Sequence, residues 1–150
     1  MIKKALIILS IVSSIFAATL DIDSQLKSFT LVDQFDKVNT VNNDLRTIVI
    51  SFEKGTGKEV NQFLATKNPD FLAQHNAVFI ANISKMPSII TALFALPKMR
   101  DYKHKILLID DDDNNMFLQQ EEKTTIYKLK DGVVVDIFYI SSPEELSKVF

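Results

Sequence analysis

The 150-residue sequence contains no cysteine. That absence excludes disulfide bonds, thiol catalysis, thiolate metal ligation and lipid attachment through an N-terminal Cys. Glycine and proline are scarce, three and four residues respectively, which leaves no flexible linker long enough to separate two domains. Beyond the N-terminal stretch no apolar run is long enough to cross a bilayer. A basic surplus is missing too: 17 Lys and Arg stand against 19 Asp and Glu, a formal charge of −2, which argues against nucleic acid as a partner. What is present, 47% hydrophobic and 24% charged residues, is the composition of one globular domain rather than a disordered or collagen-like chain.

Residues 1–18 read as an export signal. Lys3 and Lys4 precede an apolar stretch from Ala5 to Phe16 broken by Ser10, Ser13 and Ser14, and the small pair Ala17-Ala18 follows. About a dozen apolar residues suit a secretory h-region and are too few for a comfortable membrane span. Cleavage is expected after Ala17 or Ala18, delivering residues 19–150 to the periplasm as a single domain with a charge of about −4. Roughly 130 residues bury about two thirds of their unfolded surface, enough to fold without disulfides or metal. A mildly acidic surface predicts no attraction to anionic membranes once the signal is removed.

The rest of the sequence alternates strand and helix signals. Phe29 to Val32 and Lys37 to Val41 flank Asp33-Gln34-Phe35-Asp36, the pattern of a hairpin. Thr47 to Phe52 is a β-branched apolar run of the kind buried on both faces. Glu53 to Lys58 is expected to form a polar turn at Gly55 and Gly57, followed by a helix over 58–66 with Val60, Phe63 and Leu64 inward. A short helix after Asn68-Pro69, a strand over Ala77 to Ile83 and a helix capped by Ser84 come next, and the Met86-to-Leu96 apolar stripe of that helix is expected to face the core. A strand over Ile106 to Ile109 runs into the acidic stretch Asp110 to Asn115. Thr124 to Leu129 and Val133 to Phe138 form a hairpin about Asp131-Gly132, and Ser142-Pro143-Glu144-Glu145 reads as a capping box opening a helix that runs to the C-terminus.

These elements call for an α/β fold with a mixed central sheet between helical layers, an N-terminal hairpin and a C-terminal helix. Phe29 to Gln34 followed by Thr47 to Phe52 resembles the start of the redoxin and peroxiredoxin branch of the thioredoxin-like superfamily. Thr124 to Gly132, with Ser142 to Phe150 after it, resembles the thioredoxin ending. The lengths of the middle segments, and Glu122 to Thr125 ahead of the hairpin, look most like the YtfJ-type periplasmic proteins. The resemblance implies a three-layer thioredoxin-like α/β/α fold; it does not by itself imply an activity.

The same resemblance shows what is missing. Its redox members place a nucleophilic Cys just after the first central strand, where a helix start lowers the thiol pKa. Here Thr56, Gly57 or Glu59 takes that place, and none of them can exchange with a disulfide or reduce a peroxide through a sulfenic acid. The cis-Pro that faces the Cys is replaced by Thr124, which is expected to be trans.

Three other constellations bear on function. Gly55-Thr56-Gly57-Lys58 is similar to part of a phosphate-binding loop, but Phe52 and Glu59 stand where Gly and Ser or Thr are needed. What remains is a turn where Glu53, Gly55, Thr56, Gly57 and Lys58 are candidate ligand-binding residues. Asp110, Asp112, Asn114 and Glu121 fall at positions 1, 3, 5 and 12 of an EF-hand-type Ca²⁺ loop. The Gly of position 6 and the entering helix are absent, so a solvated turn is the expectation and Ca²⁺ the alternative. His75 and His104, in separate polar surroundings, are expected at the surface.

The favoured reading is an exported, non-catalytic thioredoxin-fold protein that binds a periplasmic protein or small ligand, requires no cofactor and uses the edge where a redox site would lie. The alternative is an enzyme using Glu53 and Glu59 as general acid and base.

Overall fold

The structure, a computed structural model, describes residues 19–111 and 116–150. The signal segment, and with it Asp112 and Asn114 of the acidic stretch, lies outside the described residues. The β-branched run becomes β3 (Thr47–Ser51), buried along its whole length. Around it lie β1 (Phe29–Asp33), β2 (Val38–Val41), β4 (Ala77–Asn82), β5 (Leu107–Ile109), β6 (Thr124–Lys130) and β7 (Val133–Ile140). They form one mixed sheet in the order β2-β1-β5-β4-β3-β6-β7. Strand β3 pairs in parallel with β4 and antiparallel with β6, so the centre of the sheet has partners on both edges.

Turn chemistry sets both hairpins. Between β1 and β2 the Asp33 carboxylate accepts from the amides of Phe35 (2.8 Å) and Lys37 (3.1 Å), and Asp36 takes a positive φ of 62°. Between β6 and β7, Asp131 and Gly132 both have positive φ, 52° and 79°, as a primed two-residue turn requires. A side chain at Gly132 would meet Asn43 at 2.9 Å, a second reason for Gly there.

Alternation along the strands divides the core. One buried cluster joins Val49, Phe79, Ala81, Ile106 and Ile126 to Val60 and Leu64 of α1 (Lys54–Ala65), Leu72 of α2 (Phe71–Gln74) and Leu146 near the C-terminus. The other joins Ile48, Ile50, Ile80, Leu107 and Tyr127 to Leu20, Leu26 and Phe117, and contains no helical residue. The sheet is therefore sandwiched, with helices over one face and the extended stretch from Leu20, bridged to Phe117, over the other. Tyr127 closes that second layer. Its buried hydroxyl donates to the Leu20 carbonyl and accepts from the Leu118 amide, each at 2.8 Å, and burial pushes its pKa up to about 12. Tyr127→Phe leaves both backbone groups without that partner and is expected to cost about 1–3 kcal/mol in urea unfolding; an unchanged midpoint would mean that the layer does not depend on the bond.

Several expected elements shift. Helix α1 begins at Lys54, so Gly55 and Gly57 lie in its first turn rather than in a loop. Gly57 sits over Ser51, whose Oγ would be 3.2 Å from an added Cβ, and close packing accounts for the glycine. Ser84 caps no helix; its amide and hydroxyl both donate to Asn82 Oδ1. Helical structure resumes only at α3 (Ser88–Ile90), passes through a π-helical turn (Thr91–Ala95) and ends in α4 (Leu96–Met99). Pro97 cannot donate to the carbonyl four residues back, and the wider turn lets the helix continue past it. The apolar stripe expected in the core is outward: Ile89, Ile90, Leu93 and Phe94 are all exposed, while Met86 and Met99 at the ends of the run pack inward. Finally, α5 is one turn (Pro143–Leu146), and Glu145 accepts from Ser141 rather than from Ser142, so the capping box is displaced by one residue.

Candidate functional site

Of the residues read as a degenerate redox site, Thr56, Gly57 and Thr124 lie at the junction of β3, α1 and β6, and Glu59 does not join them. Glu53 is the N-cap residue of α1 but makes no side-chain cap; its Oε1 instead accepts from the Glu122 amide at 2.9 Å. Glu122 has a positive φ of 59° and lies two residues before Thr124, the first residue of β6. A carboxylate thus ties the start of α1 to the turn that enters β6. Those are the two segments that carry Cys and cis-Pro in the families this sequence resembles.

Within the site, Thr56 is buried and its hydroxyl donates to the Glu53 carbonyl at 3.1 Å, bracing the first turn. Gly57 rests on Ser51. Thr124 is buried, and every peptide bond among the described residues is trans, as expected at this position. Glu53, Lys54, Gly55 and Lys58 are exposed, whereas Glu59 is half-buried. The structure therefore assembles Glu53, Thr56, Gly57 and Thr124 at one edge. Glu59 lies in the second turn of α1, six residues after Glu53, which precedes the helix in an extended conformation. Glu53 is already engaged by a backbone amide, and neither of the two described cavities is lined by either carboxylate. Nothing in this geometry couples Glu53 and Glu59 as an acid–base pair.

The acidic stretch is only partly described. Asp110 and Glu121 are exposed. Among the described residues no cluster of three His, Asp or Glu side chains is poised to hold a metal ion.

The residues missed in the sequence are buried polar ones. His104 is 4% exposed, not at the surface as expected, and its Nε2 donates to Asn61 Oδ1 at 2.7 Å. Burial holds its pKa down at about 4, against 6.5 for a free imidazole. Gln34 is wholly buried and bonds both the His104 carbonyl (2.7 Å) and the Ile106 amide (2.8 Å), while its own carbonyl accepts from Arg100 Nε at 2.8 Å. His104 borders a cavity of about 360 Å³ that Leu64, Lys67 and Tyr102 also line. The signal was present in the strand alternation. Counting back from buried Ile106 puts Lys105 outward and His104 inward, but two flanking lysines concealed it. His75 is also half-buried; Nδ1 donates to the Phe71 carbonyl at 2.7 Å, and the ring packs on Phe71 and Phe150.

The strand order, the helix after β3 and the closing hairpin with its terminal helix define a thioredoxin-like α/β fold, here without cysteine. No family model and no curated protein matches the chain. Solved structures do. The chain is similar to the PrxQ of Xylella fastidiosa (TM-score 0.57, 10% identity, 88% of this chain and 94% of the other). It is similar to the thioredoxin domain of a thiol-disulfide oxidoreductase from Bacteroides vulgatus (TM-score 0.54, 11% identity, 87% and 98%). A third likeness is to the peroxidoxin BcpB of Mycobacterium tuberculosis (TM-score 0.52, 19% identity, 87% and 94%). At such identities the likeness establishes the fold alone.

Proposed function

We propose that this chain is an exported thioredoxin-fold module that binds a periplasmic protein at the edge formed by Glu53, Thr56, Lys58 and Thr124, without thiol or peroxide chemistry. The observation that carries the reading is the Glu53–Glu122 bond. The edge that a redox site would occupy is tied together by a carboxylate and an amide, beside one continuous seven-stranded sheet. The mix of exposed Glu53, Lys54 and Lys58 suits polar contacts, which give specificity more than raw affinity.

Expression in a two-membraned bacterium with a photo-crosslinking side chain in place of Lys58 tests the reading. The expected result is one discrete cross-linked polypeptide, absent when the same group replaces exposed Asp131, on a protein whose N-terminus lies at Ala18 or Thr19. Equal, diffuse trapping from both positions would overturn the binding edge, and an intact Met1 would overturn processing at Ala17 or Ala18.

A further inference from the structure

The helical run of residues 88–99 turns its apolar side to solvent. Ile89, Ile90, Leu93 and Phe94 are 65, 42, 62 and 65% exposed, and exposed Pro97 continues the stripe. Their spacing, i, i+1, i+4, i+5 and i+8, describes one helical face. The run is fastened by Met99 at its end and by Met86 just before its start, both packed against the buried cluster that includes residues of α1 and α2. For a helix on a water-soluble domain this polarity is inverted, and four large apolar side chains on one face form a patch that requires explanation.

Charge indicates what covers it. Between Ser84 and Lys105 stand five basic residues, Lys85, Lys98, Arg100, Lys103 and Lys105, against Asp101 alone. That stretch carries +4, so the remainder of the chain carries −6 of the total −2. Lys85 and Lys98 are exposed and flank the apolar face along the sequence. Arg100 fastens the β1–β2 turn to the end of the run, through Nε to the Gln34 carbonyl and Nη2 to Asp36 at 3.3 Å, and that turn displays Phe35, 47% exposed. A second copy docked through the same face by a two-fold axis would bring the lysines of one copy against those of the other, an unfavourable like-charge contact. A layer of anionic headgroups over acyl chains satisfies both the apolar face and its basic flanks.

We propose that residues 88–99 lie in the plane of a membrane surface that carries anionic phospholipid. Ile89, Ile90, Leu93 and Phe94 sit at the acyl boundary, and Lys85 and Lys98 at the phosphates. The net charge predicts no such attraction; the local asymmetry does. This surface is distinct from the edge at Glu53, so either assignment can fail alone.

Because residues 1–18 are themselves apolar, the test must report from the helix. The sequence has no Trp, so Leu93→Trp puts a single indole in the exposed face and Val135→Trp, at an exposed position of β7, serves as control. Titrating the full chain with phosphatidylcholine vesicles containing phosphatidylglycerol should blue-shift the indole of the Leu93→Trp protein and not that of the control. Phosphatidylcholine alone should produce little shift. Lys85→Gln with Lys98→Gln in the Leu93→Trp background should weaken the partition read by that shift roughly thirtyfold, at the usual contribution of a basic side chain near an anionic surface. An unshifted spectrum on anionic vesicles, an equal shift on neutral ones, or a blue shift that grows with protein concentration without lipid would overturn the proposal, the last in favour of a second copy.

Discussion

Gln34→Leu should shift the urea midpoint sharply downward, with a loss of about 2–6 kcal/mol and an unchanged m-value. Leu nearly conserves the volume, so a cavity contributes little; the cost comes from two buried backbone groups left without partners, at about 1–3 kcal/mol each. Those groups are the His104 carbonyl and the Ile106 amide, which the Gln34 carboxamide now bonds at 2.7 and 2.8 Å. The location magnifies the effect. Strands β1 and β5 share only two registered pairs, Val32 with Leu108 and Asp33 with Leu107, and Gln34 extends that short ladder through its side chain. Without it the N-terminal hairpin is held by β5 less firmly than β4 holds β3, and local opening of β1 and β2 should precede global unfolding, visible as faster amide exchange at Leu31 and Val41 than at Ile48. A loss under about 1 kcal/mol would mean that water takes over both bonds.

Patterning explains which parts of this molecule were legible beforehand. The β-branched run at Thr47 and the Asp-Gly turn specify their own conformation, because burial on two faces and positive φ angles constrain the residue types directly. The hairpin at Asp33 to Asp36 was readable for the same reason: its short carboxylate serves the amides that the turn exposes. Helical periodicity identifies a face but not what the face touches. In residues 88–99 the apolar stripe was legible and its direction was not, since the inward contacts come from Met99 at one end and from Met86 ahead of the other. The start of α1 was misplaced because Gly55 and Gly57 resemble turn residues, while the reason for Gly57 is the Ser51 hydroxyl, a neighbour supplied by packing. At the degenerate site, loss of Cys and cis-Pro was legible residue by residue. The Glu53–Glu122 bond was not, because it joins residues 69 apart in sequence.

Acidification from pH 6.5 to about 4 should weaken the fold by about 3 kcal/mol through His104 alone, beyond any contribution of the carboxylates. The native pKa is depressed by burial to about 4, while the unfolded chain titrates near 6.5. Between these values the unfolded state binds a proton that the native state refuses, so stability rises with pH across the window and is fully present above it. Below about pH 4 both states are protonated and the His104 contribution becomes flat. Asp33 acts in a different range. Burial works to raise its pKa, but hydrogen bonds from the Lys37 and Phe35 amides and from Asn39 outweigh this and hold it below the usual 3.8, so its stabilisation is lost only on further acidification. The two groups can therefore be separated. In His104→Gln the amide can still meet Asn61, and the variant should show a nearly flat stability between pH 6.5 and 4 while retaining the steeper loss below. If the parent protein is equally stable at pH 6.5 and pH 4.5 in urea titrations, His104 is not held neutral in the native state.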